Sequence, residues 1–281
     1  MPLTVVVPAH DEAAVIGPNL DRLTRDVERD RLQVLVVCNG CSDDTADRAR
    51  AVPGVEVEEI AAPSKIAALR VGDAHFDHVS GDGFPRAYID ADIDVAGRDL
   101  HRMAAALAES DALVASPRLH LDTSASSWIV RSAMRIWIAL PVVQQGLSGR
   151  GAFVLTDRAR RRFDDWPDIV ADDGFVERLF TPGERLEHDL CCATVLAAPT
   201  ARAWVVRKAR VYRGNRELDD LGIVGRGASD RQWLGVVRDD PRRLLDVPAY
   251  VLLTVAAKVV DRWQSRRGEV GWGSGDRVAT S

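Results

Sequence analysis

Leu3-Thr4-Val5-Val6-Val7-Pro8-Ala9-His10-Asp11-Glu12 is the stretch from which the rest of this sequence can be read. Leu3 to Val7 is an unbroken apolar, β-branched run, the character of a strand covered on both faces in a parallel sheet. It gives way at Pro8 to a polar cluster. A second run of the same kind, Gln33 to Cys38, follows Glu12 to Arg29, in which Val15, Leu20, Leu23 and Val27 recur at roughly helical spacing. The chain therefore opens as strand, loop, helix, strand.

The alternation continues outward. Asp43 to Ala51 reads as a helix with Ser42 or Asp43 as N-cap, Val55 to Ile60 as a strand, and Ser64 to Ala74 as a helix. Arg86 to Ile89 is a short strand and Arg98 to Glu109 a further helix. Such a pattern predicts an α/β protein with a Rossmann-like, mostly parallel twisted sheet flanked by helices, with ligands at the carboxyl ends of the strands. After Asp122 the pattern changes. Ser126 to Leu140 is amphipathic and reads as a helix ended by Pro141, facing either the core or an acceptor or membrane surface. Gly146 to Gly151 is a glycine-punctuated loop, Ala152 to Leu155 a strand, and Asp157 to Arg162 a basic helix read as a solvated face.

Composition sets the outer limits. With 281 residues, 46% hydrophobic and 28% charged, the chain can bury a full core without covalent staples. A net charge of −5 argues against a nucleic-acid partner. Of 37 basic residues only Lys65, Lys208 and Lys258 are lysines, a bias we read as base composition in a bacterial genome. The N-terminus offers no basic or apolar leader, so no signal peptide is expected, and the four cysteines do not make a secreted framework; the expectation is a cytoplasmic protein. Cys38 and Cys41 with the adjacent Cys191 and Cys192 do not have the spacing of a four-thiolate zinc site, and Cys191 and Cys192 read as small packing residues.

From Glu217 the chain becomes a C-terminal extension. Gly222, Gly225 and Gly227 mark a connection, and Ala249 to Trp263 a helix with an apolar first half and Lys258, Asp261, Arg262, Arg266 and Arg267 at or beyond its end. It is either a helix docked on the core or an interfacial one. Val247 to Val260, interrupted by Pro248 and Lys258, is too short to cross a bilayer of about 30 Å. Peripheral contact with the inner face of the plasma membrane through 126–140 or 249–263 is the remaining membrane reading. Residues 268–281 read as a loose end that Trp272 anchors.

The most specific chemical feature is Tyr88-Ile89-Asp90-Ala91-Asp92, two carboxylates flanking one residue directly after a short apolar strand. Where the chain bends into its loop they can converge on a divalent cation, with diphosphate oxygens and water completing the shell. With Pro8 to Glu12, the turn Asn39-Gly40-Cys41-Ser42-Asp43-Asp44-Thr45 and Ser64-Lys65-Ile66-Ala67-Ala68-Leu69-Arg70, this makes four motifs in an order that resembles the family 2 glycosyltransferases of the GT-A fold. That family's usual forms are P-x-x-N-E, D-D/N-G-S-x-D-x-T, G-K-x-x-A-L-N and D-x-D. The likeness extends to Gly149-Arg150-Gly151-Ala152-Phe153, which resembles the glycine-rich acceptor loop, and to Pro167 to Val176, which resembles the family's E/D-D element. It covers residues 3–216, divided at 122/123 into donor and acceptor halves and followed by the 217–281 tail.

The resemblance implies a metal-dependent, inverting transfer of a sugar from a nucleoside-diphosphate sugar to a hydroxyl acceptor, be it a glycan, a small molecule or a lipid-linked group. Asp92 would bind Mg²⁺ or Mn²⁺, and Asp90 would share it or hold the donor ribose. Pro8, His10, Glu12 and Asn39 would border the nucleoside, with Lys65 near its base or phosphate. Arg210 and Arg213, in the basic run Arg207 to Arg216, would help neutralise the departing diphosphate. Asp173 would act as general base, with Asp172 the alternative. Two departures stand out: Cys38 replaces the Asp that opens the second motif, which disfavours a uridine donor, and the Arg207 to Arg216 run replaces Q-x-x-R-W. The rival readings are a sugar-phosphate nucleotidylyltransferase, against which stands the lack of glycine in Pro8 to Glu12, and a catalytically silent glycosyltransferase-like binding protein.

Overall fold

A computed structural model describes residues 2–28, 31–79, 83–223 and 232–267. Gly225, Gly227, the 268–281 end and the Arg266 and Arg267 side chains, all read above from sequence, lie outside what is described.

In chain order the elements are β1 (Leu3–Ala9), α1 (Ile16–Thr24), β2 (Leu32–Asn39), α2 (Thr45–Arg50), β3 (Val55–Ile60), α3 (Lys65–Val79), β4 (Arg86–Ile89), α4 (Gly97–Ala108), β5 (Val114–Asp122), α5 (Trp128–Trp137), α6 (Pro141–Gln145), β6 (Ala152–Leu155), α7 (Asp157–Arg160), α8 (Asp172–Leu179), β7 (Arg185–Leu196), α9 (Ala201–Asp220), α10 (Gln232–Asp239) and α11 (Val247–Arg267). The strands form one seven-stranded sheet in the order β3-β2-β1-β4-β6-β5-β7. β1 pairs in parallel with β2 and β4, and β2 with β3, whereas β6 is antiparallel to both β4 and β5. This is the mostly parallel α/β sheet that the alternation predicts.

The described chain divides into two compact units. The first comprises 1–120, 150–168 and 179–195, and the second 121–149, 169–178 and 196–281. The sheet centres the first. Every residue of β1 is buried, because helices cover both faces, which is why its sequence is a continuous run rather than an alternation. α3 lies so close to β1 that a Cβ on Gly72 would sit 2.4 Å from Val6 Cγ1. Beneath β4, Asp73 is 4% exposed and accepts hydrogen bonds from Arg86 Nη1 (2.6 Å), Tyr88 Oη (2.6 Å), Arg160 Nε (2.9 Å) and Trp166 Nε1 (2.8 Å). Burial beside Asp73 raises the Tyr88 phenol well above its usual range, so it stays a donor.

The second unit is helical. α5, α9 and α11 enclose a core of Val130, Ala133, Met134, Trp204, Leu253 and Ala257. Ionic contacts fasten the C-terminal helices to it. Asp246, buried just before α11, accepts from Ser132 Oγ (2.5 Å) and from Arg135 Nε (2.8 Å) and Nη2 (2.5 Å), and Arg135 holds its carboxyl below the usual range. Buried Asp261 takes a two-pronged contact from Arg216.

Several sequence expectations are corrected. The first helix begins at Ile16 rather than Glu12, since Asp11 has φ +51° and the Glu12 carbonyl closes a turn onto Val15 and Ile16. Pro141 does not end the 126–140 helix but starts α6; α5 stops at Trp137. The apolar face of α5 packs inward, leaving Trp128 as its exposed large apolar residue. α11 docks on the core through Ala249, Leu253 and Ala257, at four-residue spacing, while Leu252, Val255, Val259 and Trp263 are exposed. Among the described residues no helix is long and apolar enough to cross a membrane. The 216/217 boundary falls inside α9, and the Arg207 to Arg216 run is helical. Cys191 is buried but Cys192 is exposed, because β7 alternates its side chains.

Candidate active site

The carboxyl ends of β1, β2 and β4 carry the first unit's polar groups. The turn after β2 is folded back by Gly40, whose φ of +62° and N–H to Ile60 O (2.8 Å) leave no room for a side chain beside Pro63. It is braced onto the loop after β1. Glu12 N donates to Thr45 Oγ1 (2.7 Å), Ala13 N to Asp43 Oδ2 (3.2 Å), and Ser42 N to Asp11 Oδ1 (2.6 Å). The Ser42 amide foremost, with His10 and the Ser42 hydroxyl, holds the Asp11 carboxyl below its usual range.

His10 and Asn39 are part of this bracing. Asn39 is 0% exposed and donates through Nδ2 to Ala9 O (2.9 Å), while the His10 ring rests its Nδ1 on Asn39 O (2.6 Å). Pro8 is buried within β1. Both side chains are enclosed and shape the loop from inside. Glu12 is half-buried at the head of the turn into α1. Cys38 is enclosed in the core, and burial pushes its thiol up to about 12, so this position offers no anion to a ligand.

Asp90 and Asp92 emerge where β4 ends. Asp90 N donates to Gly151 O (2.8 Å), and a Cβ at Gly151, itself at φ +63°, would strike Ile93 Cγ1 at 2.3 Å. Asn19 Nδ2 holds Ala91 O (2.9 Å), and Ile93 N closes the turn onto Asp90 O (3.0 Å). Asp90 is half-buried and Asp92 exposed on that turn. Lys65, at the start of α3, places Nζ 2.5 Å from Asp90 Oδ1. Two hard carboxylate donors one residue apart, open to solvent on the Asp92 side, suit an oxygen-preferring cation such as Mg²⁺ or Mn²⁺.

The second unit carries the acidic element. Asp172 and Asp173 open α8, whose N-terminal dipole favours negative charge. Asp172 is 4% exposed, whereas Asp173 is half-buried and accepts from Gly149 N through Oδ2 (2.7 Å) and from Gly174 N through Oδ1 (2.7 Å). Each oxygen keeps a second lone pair. On α9, Arg210 is exposed and Arg213, three residues on, half-buried on the same helix side.

Sequence reasoning missed two supports. Glu177, one turn after Asp173, accepts from Ser148 N (2.8 Å) and Leu147 N (3.2 Å), and so sets the loop that reaches Asp173. Its signal was the four-residue spacing on a short helix. Asp11 was read only as part of a polar cluster, and nothing in its residue type announces the backbone conformation that aims it at Ser42.

No protein-family model and no curated protein matches this sequence. Solved structures do share its architecture. A mannosyltransferase from Pyrobaculum calidifontis, PcManGT, solved with GDP-Man and Mn²⁺, is similar with a TM-score of 0.60 at 18% identity, over 95% of this chain and 76% of its own. Glucosyl-3-phosphoglycerate synthase from Mycobacterium tuberculosis, solved with Mn²⁺, UDP and glucosyl-3-phosphoglycerate, is similar with a TM-score of 0.53 at 18% identity, over 80% of this chain and 82% of its own. The chain has the fold of these proteins, the GT-A fold that its motif order implies.

Proposed function

We propose that this chain is a metal-dependent, inverting glycosyltransferase that moves a sugar from a nucleoside-diphosphate sugar to a hydroxyl acceptor. The observation that carries the reading is the placement of Asp90, Asp92 and Lys65 together at the carboxyl end of β4, on a sheet of GT-A architecture. Both structural neighbours named above were solved with Mn²⁺ and a nucleotide or nucleotide sugar.

Asp92 and Asp90 would hold Mg²⁺ or Mn²⁺, which when bound neutralises charge on the diphosphate leaving group. Lys65 orients Asp90 and presents an ammonium to the same region, and Arg210 or Arg213 adds guanidinium charge for the departing diphosphate. Removing one such stabilising contact typically lowers turnover 10²- to 10³-fold. Asp173 takes the proton from the acceptor hydroxyl as that oxygen attacks the anomeric carbon, and a single direct displacement inverts the sugar. Its exposure, against the enclosure of Asp172, favours Asp173 as the base. A buried Cys38 at the opening of the second motif supports a donor other than a uridine nucleotide. The exposed apolar side of α11, with exposed Arg262 near its end, supports a lipid-linked acceptor met at a membrane surface.

The test is to incubate the protein with Mn²⁺ and a panel of UDP-, GDP- and dTDP-sugars, with candidate acceptors present or absent. Release of nucleoside diphosphate and an inverted anomeric configuration in the product are expected. Pyrophosphate release would replace this reading with a nucleotidylyltransferase, and neither binding nor release with any donor would replace it with a silent binding protein.

A further inference from the structure

The loops after β1 and β2 bring together three side chains of different chemistry. His10, Asp11 and Cys41 each offer a ligand atom, and these atoms lie within 4.8 Å of one another. We propose that they form a second cation site, separate from Asp90 and Asp92, selective for a borderline-soft divalent ion of the Zn²⁺ or Co²⁺ class. It stands independently of the glycosyl-transfer reading.

The orientation of His10 is the first argument. The ring is 8% exposed, and Nδ1 lies 2.6 Å from the carbonyl oxygen of Asn39. A carbonyl can only accept, so Nδ1 carries the proton and the lone pair of the neutral ring is on Nε2. That nitrogen faces Asp11 Oδ2 at 3.8 Å. A histidine whose second nitrogen is tied to a backbone carbonyl is the usual arrangement of a metal-ligating imidazole, because it fixes both tautomer and ring plane. The backbone supplies the second argument. Among the described residues Asp11 is the non-glycine residue with positive φ, +51°, a conformation held by the surrounding bonds. Hydrogen bonds from Ser42 N (2.6 Å) and Ser42 Oγ (3.2 Å) to Oδ1 hold its carboxylate beside His10.

Cys41 completes the set. Burial raises its thiol above the usual range; the thiol donates to Ala9 O (3.4 Å), and the Asp11 amide donates to its sulfur, which fixes the side chain beside Asp11. On binding, the thiol proton passes to solvent and sulfur becomes the third ligand. Zinc bonds of about 2.0–2.3 Å put tetrahedral ligands roughly 3.3–3.8 Å apart, so the trio needs a contraction of about 1 Å, within reach of side-chain rotation. One imidazole, one carboxylate and one thiolate suit Zn²⁺ or Co²⁺ better than Mg²⁺ or Ca²⁺. The Asp11 side chain is 20% exposed, which leaves the fourth position to water. Cys38, though near Cys41, is enclosed and remains a thiol. Sequence spacing hides this site, since His10 and Asp11 are 31 and 30 residues from Cys41.

The experiment is Co²⁺ titration of the full-length protein with Mg²⁺ in excess, following the sulfur-to-cobalt charge-transfer band. The expected result is a saturable band at one equivalent, erased by Zn²⁺, absent in Cys41→Ser, weakened at least about tenfold in His10→Gln, and unchanged in Asp92→Asn. As a check on folding, Zn²⁺ alone should raise the Tm of the wild-type protein but not of Cys41→Ser. No band at saturating Co²⁺, or a band that survives Cys41→Ser, overturns the proposal.

Discussion

Replacing Asp73 by alanine should destabilise the first unit more than any single surface change. Four donors converge on this carboxylate: Arg86, Tyr88, Arg160 and Trp166. Arg86 is 0% exposed, and without Asp73 its charge keeps, among the described residues, the exposed Asp77 as a carboxylate neighbour at 2.9 Å. Deleting one partner of a buried ion pair costs about 3–5 kcal/mol, because the remaining charge is left desolvated. The Tyr88 hydroxyl and Trp166 indole would also lose an acceptor, but these losses overlap with the first and do not add in full. Against a typical total of about 5–15 kcal/mol, this is a large fraction. Urea unfolding followed by circular dichroism should show a midpoint shift equivalent to about 3–5 kcal/mol, with a Tm lower by roughly 10 °C. Asp73→Asn, which keeps the shape but not the charge, should fall between alanine and wild type. A loss under about 1 kcal/mol in Asp73→Ala would refute the idea that the carboxylate compensates the Arg86 charge.

Other perturbations read different parts of the molecule. Gly72→Ala drives a methyl into Val6 and should cost about 1–3 kcal/mol by thermal melting, whereas Gly235→Ala, with nothing within 4 Å of the new methyl on α10, should stabilise by about 0.4–1 kcal/mol. Glu184 is lowered from 4.5 to about 2, chiefly by its hydrogen bond from Arg162, so the stability from this pair is present above about pH 4.5 and lost as pH falls toward 2. The Tm difference between wild type and Arg162→Gln should therefore be small but measurable at neutral pH and vanish as pH falls to about 2. On α11, Leu252→Asp with Val255→Asp should abolish sedimentation with anionic lipid vesicles while leaving Tm nearly unchanged, since both side chains are exposed; wild-type protein that stays in the supernatant contradicts membrane docking.

Much of the first unit was legible because its chemistry is local. The runs Leu3 to Val7 and Gln33 to Cys38 are strands buried on both faces, which leaves the same continuous apolar signature wherever they occur. Asp90 and Asp92 follow a strand directly, so their place at the carboxyl end of β4 could be read from adjacency. β5 and β7 were not read because their patterns are mixed: Pro117 interrupts β5, and β7 starts with charged residues before its buried Cys191 and Ala193. The residue types at Pro8 to Glu12 and Asn39 to Thr45 were visible, but their division of labour was not. Whether Asn39 faces a ligand or braces a turn depends on the register of β1 against β2, where Ala9 lies opposite Cys38. The tail was read as a choice between docking and display, and the four-residue spacing of Ala249, Leu253 and Ala257 docks one side of the helix and leaves the other exposed.

The central claim is that Asp92 serves donor binding through the metal and Asp173 serves proton removal. Donor affinity and turnover should be measured in parallel, with Mn²⁺, for the wild type, Asp92→Asn and Asp173→Asn. The account predicts that Asp92→Asn loses metal-dependent donor binding, and that Asp173→Asn binds the donor within about twofold of wild type while turnover falls 10²- to 10⁴-fold. Turnover by Asp173→Asn within tenfold of wild type, or undiminished Mn²⁺-dependent donor binding by Asp92→Asn, would contradict it.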